Sequence, residues 1–373
     1  MTTPLAGLKV VELARILAGP WAGQLLADLG ADVIKVESPD GDDTRKWGPP
    51  FVERDGAAAY FHGTNRGKKS VVIDFRTPDG KAQLLKLLAD ADVVIENFKV
   101  GGLAKYGLDY ASLSAQFPRL IYCSITGFGQ DGPYAKRAGY DFIIQGMSGL
   151  MSVTGEPDAQ PEKVGVAVTD IFTGLYASNA ILAAIIQRDR TGAGQQLDLA
   201  LLDVATSVMA NQAMNYLASG TAPTRLGNAH PNIVPYQVFD CADGFIIIAV
   251  GNDGQFRKFV GLLGQEDLAD DPRFATNPAR LEHREILVPI LSALTMTWTK
   301  SDLLQACENA GVPAGPINDM AEVFDDPHVK ARGLQMSLDG VPSVRCPIRF
   351  SGADLSMDDP SPSLGEHQDL LKP

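Results

Sequence analysis

The chain has 373 residues, 45% of them hydrophobic, and a formal net charge of −13. That length exceeds one ordinary core and predicts two domains, while the acidic balance argues against nucleic acid or a membrane surface as a general partner, since both are recruited by a positive field. The charge is uneven, with 17 basic and 16 acidic residues in 1–137 against 15 and 29 in 138–373, so an anionic ligand is better received in the first third.

In chain order, residues 8–13 read as a strand, 20–29 as a helix with Pro20 in its first turn and Gly30 at its end, and 32–37 as a second strand. The rhythm repeats with a strand over 70–75, a helix over 78–89, a strand over 92–96, a short helix over 110–116 and a strand over 120–125. Strands alternating with helices at this spacing predict a parallel, doubly wound, Rossmann-like sheet covered by helices on both faces. The first strand-to-helix connection, Ala14-Arg15-Ile16-Leu17-Ala18-Gly19-Pro20, contains neither G-x-G-x-x-G nor a P-loop lysine, so no dinucleotide is indicated. A strongly apolar helix follows over 176–187, Gly192-Ala-Gly is a break, and 195–209 reads as helical from about Ala200.

Near residue 220 the texture changes to turn formers. A hairpin is expected from Tyr236-Gln-Val-Phe and Gly244-Phe-Ile-Ile-Ile-Ala-Val, then helices over 254–263, 280–294 and 300–310, a strand-like stretch over 346–350 and a Pro/Ser/Asp-rich tail that need not be ordered. The expected division is a large domain over 1–220, a smaller α+β domain over 221–328 and a segment over 329–373 that returns to the large domain. Cys123, Cys241, Cys307 and Cys346 are scattered without a Cys-x-x-Cys pair or a metal-ligand spacing, which reads as buried free thiols. No uncharged apolar stretch reaches the roughly 18 residues of a membrane span, and the N-terminus lacks a basic then apolar leader. A cytoplasmic protein with no membrane partner is expected.

Asp170 stands where the apolar run Val164-Gly-Val-Ala-Val-Thr meets the long apolar helix. A carboxylate there is either a helix N-cap, favoured by the dipole, or a nucleophile. Position alone favours the cap.

Five segments occur together in order: Leu5-Ala-Gly-Leu-Lys-Val-Val-Glu-Leu with Ala18-Gly-Pro, Gly30-Ala-Asp-Val-Ile-Lys-Val-Glu-Ser-Pro, Asn65-Arg-Gly-Lys-Lys-Ser, Glu96-Asn-Phe and Arg137-Ala-Gly-Tyr-Asp. Over residues 5–350 the chain closely resembles the class III coenzyme A transferases, the group of the formyl-CoA and carnitine CoA-transferases and the α-methylacyl-CoA racemases. The resemblance implies an obligate homodimer of interlocked chains, acyl-CoA and carboxylic acid substrates, no permanently bound cofactor and no metal. It also implies that Asp170 is the catalytic carboxylate, since an activated thioester can be attacked by so weak a nucleophile, with aspartyl anhydride and aspartyl-CoA intermediates.

Carried over by matching segments, the CoA contacts are Ile16, Ala18, Ile73, Arg76, Asn97, Phe98, Lys105, Tyr106 and Arg137. Ser38 occupies a place where some relatives have a nucleotide-binding arginine, and Arg45 or Lys68 is a candidate to compensate. Gly251 and Gly254, in Gly251-Asn-Asp-Gly-Gln, are candidates for a loop supplying oxyanion donors, or for an ordinary strand-to-helix turn. Tyr140, Asp141 and His230 are candidates for substrate contact, and each also has a purely structural reading. In the racemases the Tyr140 position carries a histidine; tyrosine, with an unperturbed pKa near 10, is a poor base at neutral pH, which favours transfer. An isomerase of the racemase type and a non-catalytic acyl-CoA binding protein are the alternatives.

Overall fold

The computed structural model describes residues 2–372, and contacts divide the chain into two compact units. The first unit holds the residues up to 150, 163–221 and those from 327 onward; the second holds 151–162 and 222–326. Residues 151–162, expected in the large domain, thus fall in the second unit.

The first unit is built on six parallel strands, β1 (Lys9–Glu12), β2 (Asp32–Glu37), β3 (Lys69–Val72), β4 (Val93–Glu96), β5 (Ile121–Thr126) and β6 (Gln196–Ala200), in the order β3-β2-β1-β4-β5-β6. This is the doubly wound order, reversing between β1 and β4. The strands read as apolar runs because both faces are covered: Val10, Val33, Val93, Ile95 and Ile121 pack with helix α1 (Ala18–Asp28) and the long helix Val168–Thr191 on one side, while Val11, Val71, Val94 and Tyr122 pack with Leu84, Leu88 and Leu113 on the other. The helix Pro78–Ala89 begins where Thr77 accepts from the Gly80 N–H and Pro78 fixes the first φ.

Three features differ from the sequence-based expectations. The edge strand β6 is absent from the expected elements, since Gln196-Leu-Asp-Leu-Ala is half polar and gives only a weak strand signal, while the helix expected from about Ala200 begins at Leu201. The long helix starts at Val168 rather than near 176. The stretch 346–350 is irregular, and the two strands of that region are Gln335–Leu338 and Val341–Val344, paired antiparallel. Pro347, lacking an N–H, cannot donate to a ladder there.

The segment from 360 onward is fastened to the first unit by hydrogen bonds. Arg45 Nη2 donates to Pro362 O, Arg54 Nη1 donates to Ser361 O, His62 Nδ1 lies 2.6 Å from Ser361 Oγ, and Gln368 bonds both the N–H and the carbonyl of Val72 on edge strand β3.

The second unit is a hairpin, Tyr236–Cys241 against Gly244–Ala249, extended by Ala314–Gly315 and packed with helices Asp253–Leu262, Arg284–Thr295 and Lys300–Ala310 around Phe239, Ile246, Phe256, Phe259, Leu287 and Leu303. The helix expected over 280–294 is broken at His283. Arg280, fully buried, donates to Val234 O and Phe274 O and pairs with Asp253 at 2.8 Å.

Candidate active site

The strand order reverses between β1 and β4, and open α/β sheets bind ligands outside the carboxyl ends of such strands. Here the connections after β1, β4 and β5 enclose a cleft of about 680 Å³, within the usual range for small-molecule sites. Of the residues expected at the site, Ile16, Ala18, Asn97, Phe98, Arg137, Tyr140 and Asp170 line it. Arg15, Asp43, Trp47 and Lys99 also line it and were not picked out from sequence. Arg15 and Lys99 adjoin expected contacts, whereas nothing local marks Trp47. Gly127 and Gly139 let the β5 loop and the Tyr140 loop touch, since a Cβ on either would come within 2.5 Å of the other's Cα.

Asp170 lies in the first turn of the long helix but is not its cap. The helix begins at Val168 after Ala167, and no side chain of its own segment caps it. The cap comes from elsewhere: Asp141 Oδ1 accepts from the Thr169 N–H at 2.8 Å and from Thr169 Oγ1 at 2.7 Å, while its Oδ2 accepts from Gln145 Nε2 at 2.7 Å. Both Asp141 oxygens are therefore occupied. Asp170 accepts no hydrogen bond among the described residues. Burial, and then the Asp141 charge, push its carboxyl up to about 7. Tyr60 sits close enough that burial followed by the charges of Asp170, Asp141 and Asp42 raise its phenol above the usual range, and Trp47 packs edge-on against its ring at 5.4 Å.

The loop after β1 is held from two sides. Asn97 Oδ1 accepts from the Arg15 N–H at 3.0 Å and Asn97 Nδ2 donates to Arg15 O at 2.7 Å. On the other side the Ile16 N–H donates to Asp42, 3.3 Å from each carboxylate oxygen. Between the two, Ile16 has φ 73°, a left-handed conformation that costs a β-branched residue on the order of 1–3 kcal/mol.

Asp42 belongs to a buried network of charges beneath this loop. Lys35 Nζ, fully buried, contacts Glu12 at 3.1 Å, Asp42 at 3.0 Å and Ala14 O at 2.9 Å. Burial works against its charge, but Glu12, Asp42 and Glu37 hold the ammonium above the ordinary lysine range. Lys68 shares Glu12, and burial pushes it down to about 8. For Asp42 burial is outweighed by Lys35 and the Thr44 donors, so its carboxyl lies below the usual range. Gly23 leaves the room for Glu12: a Cβ there would lie 1.8 Å from Oε2.

This network corrects the idea that Arg45 or Lys68 grips a nucleotide phosphate. Lys68 Nζ is taken by Glu12, Pro20 O and Asn65 Oδ1, and Arg45 is forked onto Glu37 and stacked over Phe61. Ser38 Oγ donates to Gly41 O. Four expected CoA contacts lie outside the cleft lining: Ile73 is 2% exposed in the core, Arg76 is forked onto Asp74 at the surface, and Lys105 lies over the Tyr106 ring, which itself packs against Phe75. Arg137 faces the cleft with its guanidinium over Tyr134.

His230, Gly251 and Gly254 belong to the second unit. His230 Nδ1 accepts from the Asn232 N–H, its ring lies against Tyr236, and burial followed by Arg284 lowers its pKa below the usual value. The Gly251 N–H donates to Gln255 Oε1, and Asn252 caps the helix Asp253–Leu262 through the Gln255 N–H, so the loop has the geometry of a capped strand-to-helix turn.

Comparison with known proteins identifies the family. The profile of CoA-transferase family III matches residues 5–368. The chain is 62% identical over 375 residues, 98% of its own length and 94% of the other's, to a succinate–glutarate CoA-transferase of Agrobacterium fabrum. It is 44% identical over 370 residues, 98% and 84% of the two lengths, to the succinyl-CoA:glutarate CoA-transferase of Mus musculus. A crystal structure of a CAIB/BAIF family protein from Brucella suis superposes with a TM-score of 0.90 at 62% identity, covering 100% of this chain and 99% of that one. The chain belongs to CoA-transferase family III and is an enzyme that moves coenzyme A from an acyl-CoA thioester to a carboxylic acid.

Proposed function

We propose that the transfer runs between C4 and C5 dicarboxylates, with succinyl-CoA as donor and glutarate as acceptor, through covalent intermediates on Asp170. The observation that carries this reading is the state of Asp170: it lines the cleft with no hydrogen-bond partner among the described residues, while the capping role that would otherwise explain it is filled by Asp141. The carboxylate attacks the thioester carbonyl, forming a C–O bond and releasing the CoA thiolate. The thiolate attacks the aspartyl carbonyl of the mixed anhydride, succinate leaves, and aspartyl-CoA remains. Glutarate then repeats the two steps in reverse and restores the Asp170 carboxylate. No net proton is consumed. The choice of succinate and glutarate follows the activities for which the two similar transferases are named.

The enzyme is proposed to act as a cytoplasmic homodimer of interlocked chains on a Rossmann-like large domain. The long helix supports a dimer: its most apolar 18-residue stretch is only 39% buried, leaving Phe172, Leu175, Tyr176 and Ile186 exposed, a face suited to a second copy.

Intact-protein mass spectrometry after incubation with succinyl-CoA, with hydroxylamine trapping and peptide mapping, tests the chemistry. An adduct on Asp170, absent from Asp170→Ala, is expected. An active protein that traps its adduct elsewhere overturns the assignment.

A further inference from the structure

We propose that Asp42 is a positioning residue of the transfer reaction: backed by Lys35, it holds the Ile16 backbone left-handed and so sets the cleft wall formed by Arg15, Ile16 and the start of α1. The inference rests on the reading that acyl-CoA binds in the Asp170 cleft, and goes beyond it by giving a function to a buried carboxylate that touches no substrate.

A β-branched residue does not hold a φ of 73° unaided; the surroundings must over-determine it. Two supports are present. Asn97 fixes the peptide groups of Arg15 on the β4 side, and Asp42 accepts the Ile16 N–H on the β2 side. Asp42 is itself immobile, 1% exposed, tied to the Thr44 N–H and hydroxyl and paired with a fully buried Lys35 at 3.0 Å. Immediately after Ile16 comes Leu17, the N-cap of α1, where no side chain caps the helix and where Leu17 and Ala18 line the cleft. The turn at Ile16 therefore decides where those open N–H groups sit. Arg15, on the other flank, reaches Asp43 at 2.7 Å, and both line the cleft, so the groups on either side of Asp42 in this arrangement face the substrate space while Asp42 faces the core.

Glycine adopts φ 73° without steric penalty, which gives a test that a general loss of stability does not mimic. Asp42→Ala and Asp42→Asn, the latter keeping volume and one acceptor oxygen, are each made in the natural chain and in Ile16→Gly. Folding is checked by near-UV circular dichroism, and KM and kcat are measured with succinyl-CoA and glutarate. In the natural background, loss of the clamp is expected to raise KM for succinyl-CoA by about tenfold or more with a smaller change in kcat, Asn less than Ala. In the Ile16→Gly background the same replacements are expected to cost no more than about threefold. Equal factors in the two backgrounds, or no change in folded Asp42 variants, overturn the proposal. Asp170→Ala is measured alongside: if it retains transfer, the cleft reading itself fails, whereas an inactive Asp170→Ala beside unimpaired Asp42 variants removes the clamp alone.

Discussion

Asp42, buried beneath the loop that walls the cleft, and Asp170, in the cleft lining, have opposite surroundings. Asp42 is enclosed by Lys35 and by the donors of Thr44 and Ile16, and its carboxyl is held below the usual range. Asp170 has no donor among the described residues and a like charge nearby, and is pushed up to about 7. Burial alone distinguishes nothing here, since it acts on both in the same direction. The partners decide which carboxylate is a fixed brace and which is available to form a bond.

The largest effect that sharpens this contrast is expected at Asp170. Asp170→Asn should abolish transfer yet stabilise the fold. The folded carboxyl titrates near 7 against an unfolded value near 3.8, so the native state keeps a proton that the unfolded state has released, and stability falls as pH rises through that window. Removing the charge is expected to add roughly 1–3 kcal/mol at pH 8 and somewhat under half of that at pH 5, the gain vanishing only near pH 4 and below, read from urea unfolding at pH 8 and pH 5. An equal gain at both would break the comparison. Glu12→Gln probes the opposite case: leaving the buried Lys35 and Lys68 ammoniums without their shared counter-charge should destabilise by about 3–5 kcal/mol, read from the same urea midpoints.

The pH profile gives a finer test. Under the proposed mechanism only the ionised Asp170 carboxylate attacks the thioester, so kcat/KM should fall about tenfold per unit below pH 7, with its acid limb near 7. Asp141→Asn retains an oxygen for Thr169 but removes the neighbouring charge, so that limb should move to lower pH, by less than burial contributes. The smallest effect is expected at Arg76, which is forked onto Asp74 at the surface and lies outside the cleft lining. Arg76→Ala should leave the urea midpoint and the KM for succinyl-CoA unchanged.

Elements marked by local punctuation were legible in sequence: the helices at 78–89 and 300–310 begin at threonine caps, Thr77 and Thr299, and the second stops at Gly311. The site was only partly so. Asp170 resembled a cap because caps are sought next door, whereas the residue that performs the task, Asp141, is 28 positions before the Thr169 it serves. Asp42 carried no signal, since its meaning arises only when β2 brings it beneath the loop after β1. Lys68 read as a free cation for the same reason, since Glu12 lies 56 residues away and meets it only once the strands pair, while Arg45 turns back onto Glu37, eight residues earlier at the end of β2.

The bond from Arg45 to Pro362 spans 317 residues, and Gln368 completes β3 from 296 residues away. Closing loops of that size makes the first unit a structure of high contact order, slow to finish. On the ribosome, β3 must wait with an unpaired edge while the whole second unit emerges and gathers its own local core. During that interval the uncovered edge of β3 is open to pairing with another chain.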